Sequence, residues 1–242
     1  ELDRVEGHFA DAHASALQAR DLFVALDDQR GRIESVLVAI QSLLEVGDAA
    51  AAAALLATLP EDAIASREQR AQRAQRDAEL ALLQSDGTRA TQAAAHAIAL
   101  ADASRSLAQS LSGRILLAEA EFTQGDPRRA ARTLADAREH LARYASVPLR
   151  LRLLEAELRI APDQAAARYR EARSELARWP QYGRAWHLHS AALVALRQRD
   201  GALAKEAGTA AALAATALQS QTPIASRDAT SKWLDATREP AP

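Results

Sequence analysis

Carboxylates, imidazoles and guanidinium groups are the side chains through which this chain could do acid–base, metal or phosphate chemistry, and their spacing decides which. His187 and His189 stand two apart in a helical stretch, so they diverge by about 200° and cannot hold one ion together. His8 and His13 are five apart and bracket a turn, where ordinary exposed or packing roles are expected. Asp27-Asp28 and Glu61-Asp62 fall at loops or helix starts, where a carboxylate accepts orphan backbone N–H groups. The chain has no cysteine, which excludes a thiol nucleophile, a disulfide and any thiolate metal site. It also contains no glycine-rich phosphate loop, no G-x-S-x-G, no H-E-x-x-H and no D-x-D-x-D-G. The sequence therefore predicts a non-catalytic protein with no cofactor and no metal.

Arginine is the more abundant chemistry. Arg67, Arg70, Arg73 and Arg76 recur every three residues, which steps the side chains backwards round a helix, so they fan over about half its surface. Glu68, Asp77 and Glu79 are near enough to pair with some of them, so a solvated face is expected before an anion site. A second basic region, residues 126–199, carries 15 basic against 8 acidic residues and most of the aromatics, Tyr144, Tyr169, Trp179, Tyr182 and Trp186. Residues 1–65 are its opposite, 12 acidic against 4 basic. The net charge of the whole is only −2, so nucleic acid is not expected as a partner.

The elements that must position these groups are helices. About a quarter of the 242 residues are alanine, glycine and proline are scarce (9 and 8), and apolar residues recur at helical spacing with no period-two stretch. No run is long and apolar enough to span a membrane. Turn signals at Gly7, Gly47, Gly87, Gly125, Pro162 and Gly201 are separated by 37 to 40 residues, the mark of stacked repeats that bury their apolar faces only against neighbours. Each marker precedes a stripe of small or apolar residues, such as Ala52–Leu56–Leu59 and Ala130–Leu134–Ala137, that lets helices approach closely. A second helix set is predicted at about 32–45, 66–85, 105–123, 148–160 and 184–199, with Asp48 and Asp126 suited to helix starts.

Gly7-His8-Phe9-Ala10-Asp11-Ala12, Gly47-Asp48 with Ala52, and Gly125-Asp126-Pro127 with Ala130 each place alanine five residues after glycine. Pro180 also stands six residues before Trp186. In these features the chain resembles the tetratricopeptide repeats, in the long and degenerate form found in the superhelical domains of bacterial transcriptional and signalling regulators. It departs from them in period, in lacking most first-helix aromatics, and at Asp86-Gly87 and Pro162. The resemblance implies an all-α, right-handed α-α superhelix of five to six antiparallel helix pairs over residues 1–220. Residues 221–242 would supply a capping helix, through Trp233 and Leu234, and a frayed tail.

The resemblance further implies that the first helix of each pair lines a concave groove. Carried over, the groove residues are Glu34, Gln41, Asp77, Gln84, Glu119, Arg152, Arg159, Arg184 and His187, grading from acidic to basic. Subfamilies that clamp peptides through groove lysine and asparagine fit poorly, since asparagine is absent and only Lys205 and Lys232 are lysines. The leading expectation is a protein–protein interaction (docking) domain of a larger bacterial regulator, with an acidic protein segment as partner. The alternative is a sensing domain that holds a small molecule or lipid inside the superhelix and controls an attached effector. Expected compartment is cytoplasm, with periplasm as the alternative. Self-association of the acidic first quarter with the basic region of a second copy is a further expectation. The start at Glu1, without an initiator methionine, reads as a segment of a longer protein.

Overall fold

The computed structural model describes residues 7–144, 146–179 and 182–220. Among them are eleven α-helices and no strand. The helices are α1 Phe9–Ala25, α2 Gln29–Glu45, α3 Ala49–Ala57, α4 Arg67–Leu83, α5 Gly87–Ala103, α6 Leu107–Thr123, α7 Pro127–Leu141, α8 Val147–Ile160, α9 Ala165–Arg178, α10 Ala185–Leu196 and α11 Gly201–Ser220. The helices expected between the turns are thus present as α2, α4, α6, α8 and α10. The anticipated capping helix beyond residue 220 lies outside the described residues.

One device recurs where helices meet. A residue in the left-handed region (Gly47 φ 77°, Ser85 φ 58°, Gly125 φ 85°) ends one helix and is followed by an aspartate that begins the next. That aspartate acts twice. Its backbone N–H returns to the carbonyl five residues earlier (Asp48 to Leu43, Asp86 to Ala81, Asp126 to Glu121, each at 2.9–3.0 Å), closing the outgoing helix. Its side chain then accepts the N–H of Ala51, Arg89 or Arg129 at 3.0 Å, capping the incoming helix. Asp28 does the same after Asp27 (φ 54°). At residue 87 the turn residue is therefore Ser85, and Gly87 is already the first residue of α5. The turn at Pro162 differs, being a short 3₁₀ segment, Pro162–Gln164, that leads into α9.

The helices form two layers. α2, α4, α6, α8 and α10 pack in succession on one another, while α1, α3, α5, α7, α9 and α11 pack on the inner helices that flank them. Sequence pattern follows position. Outer helix α7 buries only the stripe Ala130, Leu134, Ala137 and Leu141, whereas inner helix α8 buries Leu151, Leu153, Leu154, Ala156, Leu158 and Ile160 on nearly every side. Around α4, α5 and α6 the contact is made of alanines (Ala78, Ala81, Ala90, Ala93, Ala94, Ala120), whose small side chains allow close approach.

The arginine ladder of α4 serves this packing. Arg67 donates to the carbonyl of Ala103 at the end of α5 (3.1 Å), and Arg73 donates to Leu59 beyond α3 (2.7 Å). These guanidinium groups satisfy orphan carbonyls of neighbouring helices.

The succession closes on itself. Phe9 of α1 and Val46 after α2 pack with Trp186 of α10 and with Ala215 and Leu218 of α11 in one buried cluster. Gly7 lies against Gly183 so closely that an added Cβ would stand 3.1 Å from the Gly183 Cα, and Gly7 also has a φ of +85°. Arg184 forms an ion pair with Glu45, 139 residues away in the chain. The first hairpin thus meets the last, and the inner helices enclose a lumen.

Candidate functional site: the charged lumen

The lumen is a cavity of about 690 Å³ lined by all five inner helices. The last residues of each reach it: Leu44 and Glu45 of α2, Leu82 and Leu83 of α4, Phe122 and Thr123 of α6, Leu158, Arg159 and Ile160 of α8, and Val194 and Ala195 of α10. The first turn of α10 adds Trp186 and His187, and Arg184 stands immediately before it. The walls are mainly apolar, and charge is concentrated where α6, α8 and the start of α10 converge.

There Arg152, Glu155 and Arg159 occupy one face of α8 at spacings of three and four residues. Glu155 is fully buried and accepts from three arginines: Arg152 at 3.0 Å, Arg159 at 2.5 Å, and Arg184 through both Nη2 (3.0 Å) and Nε (3.1 Å). Both oxygens of Glu119 on α6 are taken as well, by Arg159 at 3.1 Å and Arg152 at 2.6 Å. Arg184 spends its remaining nitrogen on Glu45, which also accepts from Gln41 at 3.4 Å. On α4, Arg76 pairs with Glu79 at 2.5 Å. Four carboxylates (Glu45, Glu79, Glu119, Glu155) therefore face four guanidinium groups (Arg76, Arg152, Arg159, Arg184), and the cluster is neutral.

The environment keeps these charges in place. Burial would push the Glu155 carboxyl up, but Arg184, Arg152 and Arg159 outweigh it and hold the group well below the usual carboxylate range. Glu79 is likewise lowered: burial opposes ionisation, and Arg76, Arg152 and Arg184 overcome it. Burial works against the charge on Arg184, yet Glu155 and Glu45 raise its affinity for the proton well above the ordinary value. His187 is held neutral at pH 7, first by burial and then by Arg184, with Arg159 and Arg152 adding to it against Glu155.

Of the residues expected in the groove, Glu119, Arg152, Arg159, Arg184 and His187 line the lumen, and Gln41 touches it through Glu45. Three point elsewhere. Asp77 is ion-paired with Arg89 of α5, being about 200° round the helix from Glu79, which does reach the lumen. Gln84 follows the last turn of α4 and accepts from Arg89 at 3.1 Å, and Glu34 is exposed. The sequence reading missed Glu45, Glu79, Glu155 and Arg76. A signal for them exists: Glu45, Glu79, Glu119 and Glu155 recur at intervals of 34 to 40 residues, each with apolar residues on both sides.

The histidines part as their spacing requires. His187 faces the lumen, while the His189 Nδ1 lies 3.1 Å from the Tyr169 hydroxyl between α10 and α9. His189 is pushed down to about 4, by burial and then by Arg173, and Tyr169 is pushed up to about 12, chiefly by burial. Among the described residues no group of histidines and carboxylates is arranged to hold a metal ion, and no helix is long and apolar enough to cross a membrane.

The arginines of residues 126–199 are largely committed to partners inside the chain. Arg138 bridges Glu157 and Glu171, Arg150 meets Glu175 at 2.7 Å, Arg129 meets the buried Glu121 at 2.6 Å, and Arg173 meets Glu206 at 2.9 Å. The region therefore offers far less unpaired positive charge than its composition suggests. The chain matches no protein-family model, and neither a curated protein nor a solved structure is significantly similar to it.

Proposed function

We propose that this chain is a non-catalytic ligand-binding domain of the tetratricopeptide-like class, a tightly wound right-handed superhelix whose lumen holds a small molecule and which reports that occupancy to a larger regulatory protein. The observation that carries this reading is the lumen itself. A volume of about 690 Å³, lined by all five inner helices and walled mainly by apolar side chains, has the dimensions of a small-molecule site. Ring closure supports the same reading, because an extended peptide lying along an open groove would have to displace the contact of Phe9 and Val46 with Trp186. Occupancy would bear on α2, α4, α6, α8 and α10 at once, which gives a ligand leverage on the joint between the two ends.

The test is native mass spectrometry of the protein purified without denaturation, alongside an Ala195→Trp variant that fills the lumen. Retention of one small molecule per chain, lost in the variant while its helical circular dichroism is kept, is the expected result. A protein that retains nothing, and that no amphipathic probe stabilises against heat, contradicts the reading.

Docking of a protein partner is a second reading, favoured by one surface feature. Leu22, Val24 and Leu26, at the end of α1 and just beyond it, are 66%, 58% and 74% exposed, a concentration of apolar surface that partner binding would cover. Its test is loss of a captured partner when Leu22 and Leu26 are both changed to aspartate. The neutralised arginines weigh against an acidic segment as that partner.

A further inference from the structure

The lumen's polar groups differ in how fully they are used, and the difference selects a ligand class. The guanidinium groups lining its floor are committed: Arg184 spends Nε, Nη1 and Nη2 on Glu155 and Glu45, while Arg152 and Arg159 each spend both terminal nitrogens on Glu119 and Glu155. At the rim, Arg199 is bonded to Asp163 at 3.1 Å. An anionic ligand would therefore meet guanidinium groups whose charge is already offset by carboxylates. The carboxylates are not all committed. Glu119 and Glu155 have both oxygens occupied, but Glu79 gives only Oε2 to Arg76, and among the described residues its Oε1 has no hydrogen-bond donor. Glu79 lines the cavity with 17% of its side chain exposed, so that oxygen is open to the lumen.

Two further features act in the same direction. The C-terminal ends of all five inner helices meet at the cavity, and their carbonyl-rich ends carry partial negative charge. Phe122 and Trp186 stand in the wall, where a cation gains from an aromatic face. Leu82, Leu83, Leu158 and Ile160 provide apolar surface in the same cavity.

Resting on the lumen as a small-molecule site, we infer that its ligand is an amphipathic amine: a primary or secondary ammonium group donates to Glu79 Oε1, and an apolar or aromatic body lies against Leu82, Leu83, Phe122, Leu158 and Ile160. The neutral cluster beyond it offers an anion no net positive charge.

Isothermal titration of the full chain with 4-phenylbutylamine, 4-phenylbutan-1-ol and 4-phenylbutyrate, three probes sharing one body, tests this. The amine is expected to bind at least tenfold more tightly than the alcohol, and the carboxylate most weakly. Glu79→Gln is expected to erase the preference for amine over alcohol. Equal binding of amine and alcohol, or tightest binding of the carboxylate, overturns the amine assignment and leaves the lumen standing as a site. Binding of none overturns both. The three-probe comparison on the unaltered chain decides the matter even if Glu79→Gln fails to fold.

Discussion

Replacing Glu155 by glutamine keeps the side chain's volume and removes the charge on which three guanidinium groups converge, those of Arg152 and Arg184 largely buried and that of Arg159 partly exposed. The wild-type carboxylate accepts four hydrogen bonds, two of them from Arg184, at 2.5–3.1 Å. In the variant the cluster changes from neutral to one excess positive charge, and an amide NH₂ faces guanidinium donors where an acceptor stood. Breaking a buried pair in this way costs about 3–5 kcal/mol, because the remaining charge stays buried without compensation. For a chain of this size that lowers the Tm by roughly 6–20 °C. Urea unfolding at pH 7, followed by circular dichroism, measures the change, and Glu139→Gln serves as control because its pair with Arg143, at 3.9 Å and well exposed, should matter little. Acid sharpens the test. Glu155 has a folded pKa well below its ordinary 4.5, so its contribution is complete above about pH 4.5 and drains away as the pH falls toward the folded value. Glu155→Gln should therefore lose stability less steeply than wild type below that pH. A variant within about 0.5 kcal/mol of wild type at pH 7 would refute the reasoning, since surface substitutions alone produce changes that small.

Two other predictions follow from the same structure. His189 is held down to about 4 from 6.5, so the unfolded chain takes up its proton first and stability falls as pH drops from about 6.5 toward 4; His189→Gln should flatten that limb of a pH series of melting curves. Arg105 sits at φ 57° between α5 and α6, and Arg105→Gly should raise stability by up to about 1 kcal/mol in the same urea assay, relieving a left-handed backbone that only glycine adopts at no steric cost.

How much of this was legible in the sequence follows from how local each determinant is. The helices and most turns were, because a left-handed residue followed by Asp48, Asp86 or Asp126 acts within a few residues. The two layers were partly legible: narrow stripes such as Ala130–Leu134–Ala137 mark outer helices, and helices buried all round mark inner ones. Closure was not, because curvature accumulates from small rotations at every helix pair, and no short segment encodes the meeting of Glu45 with Arg184. The expected groove residues part company where helix phase decides. A two-residue difference separates Asp77, on the α5 side, from Glu79 in the lumen. The buried network escaped notice because arginine and glutamate at helical spacing read as solvated surface, whereas here Glu155 is among the most buried residues of the chain.

Closure of the chain around its lumen is the central claim, and a double-mutant cycle on Glu45 and Arg184 tests it most directly. Glu45→Gln, Arg184→Gln and the double variant are compared by urea unfolding at pH 7. The closed arrangement predicts that the two changes fail to add by about 1–3 kcal/mol, as directly paired groups do. Strict additivity, between residues 139 apart in the chain, would contradict it and leave an open stack of helices with no enclosed lumen.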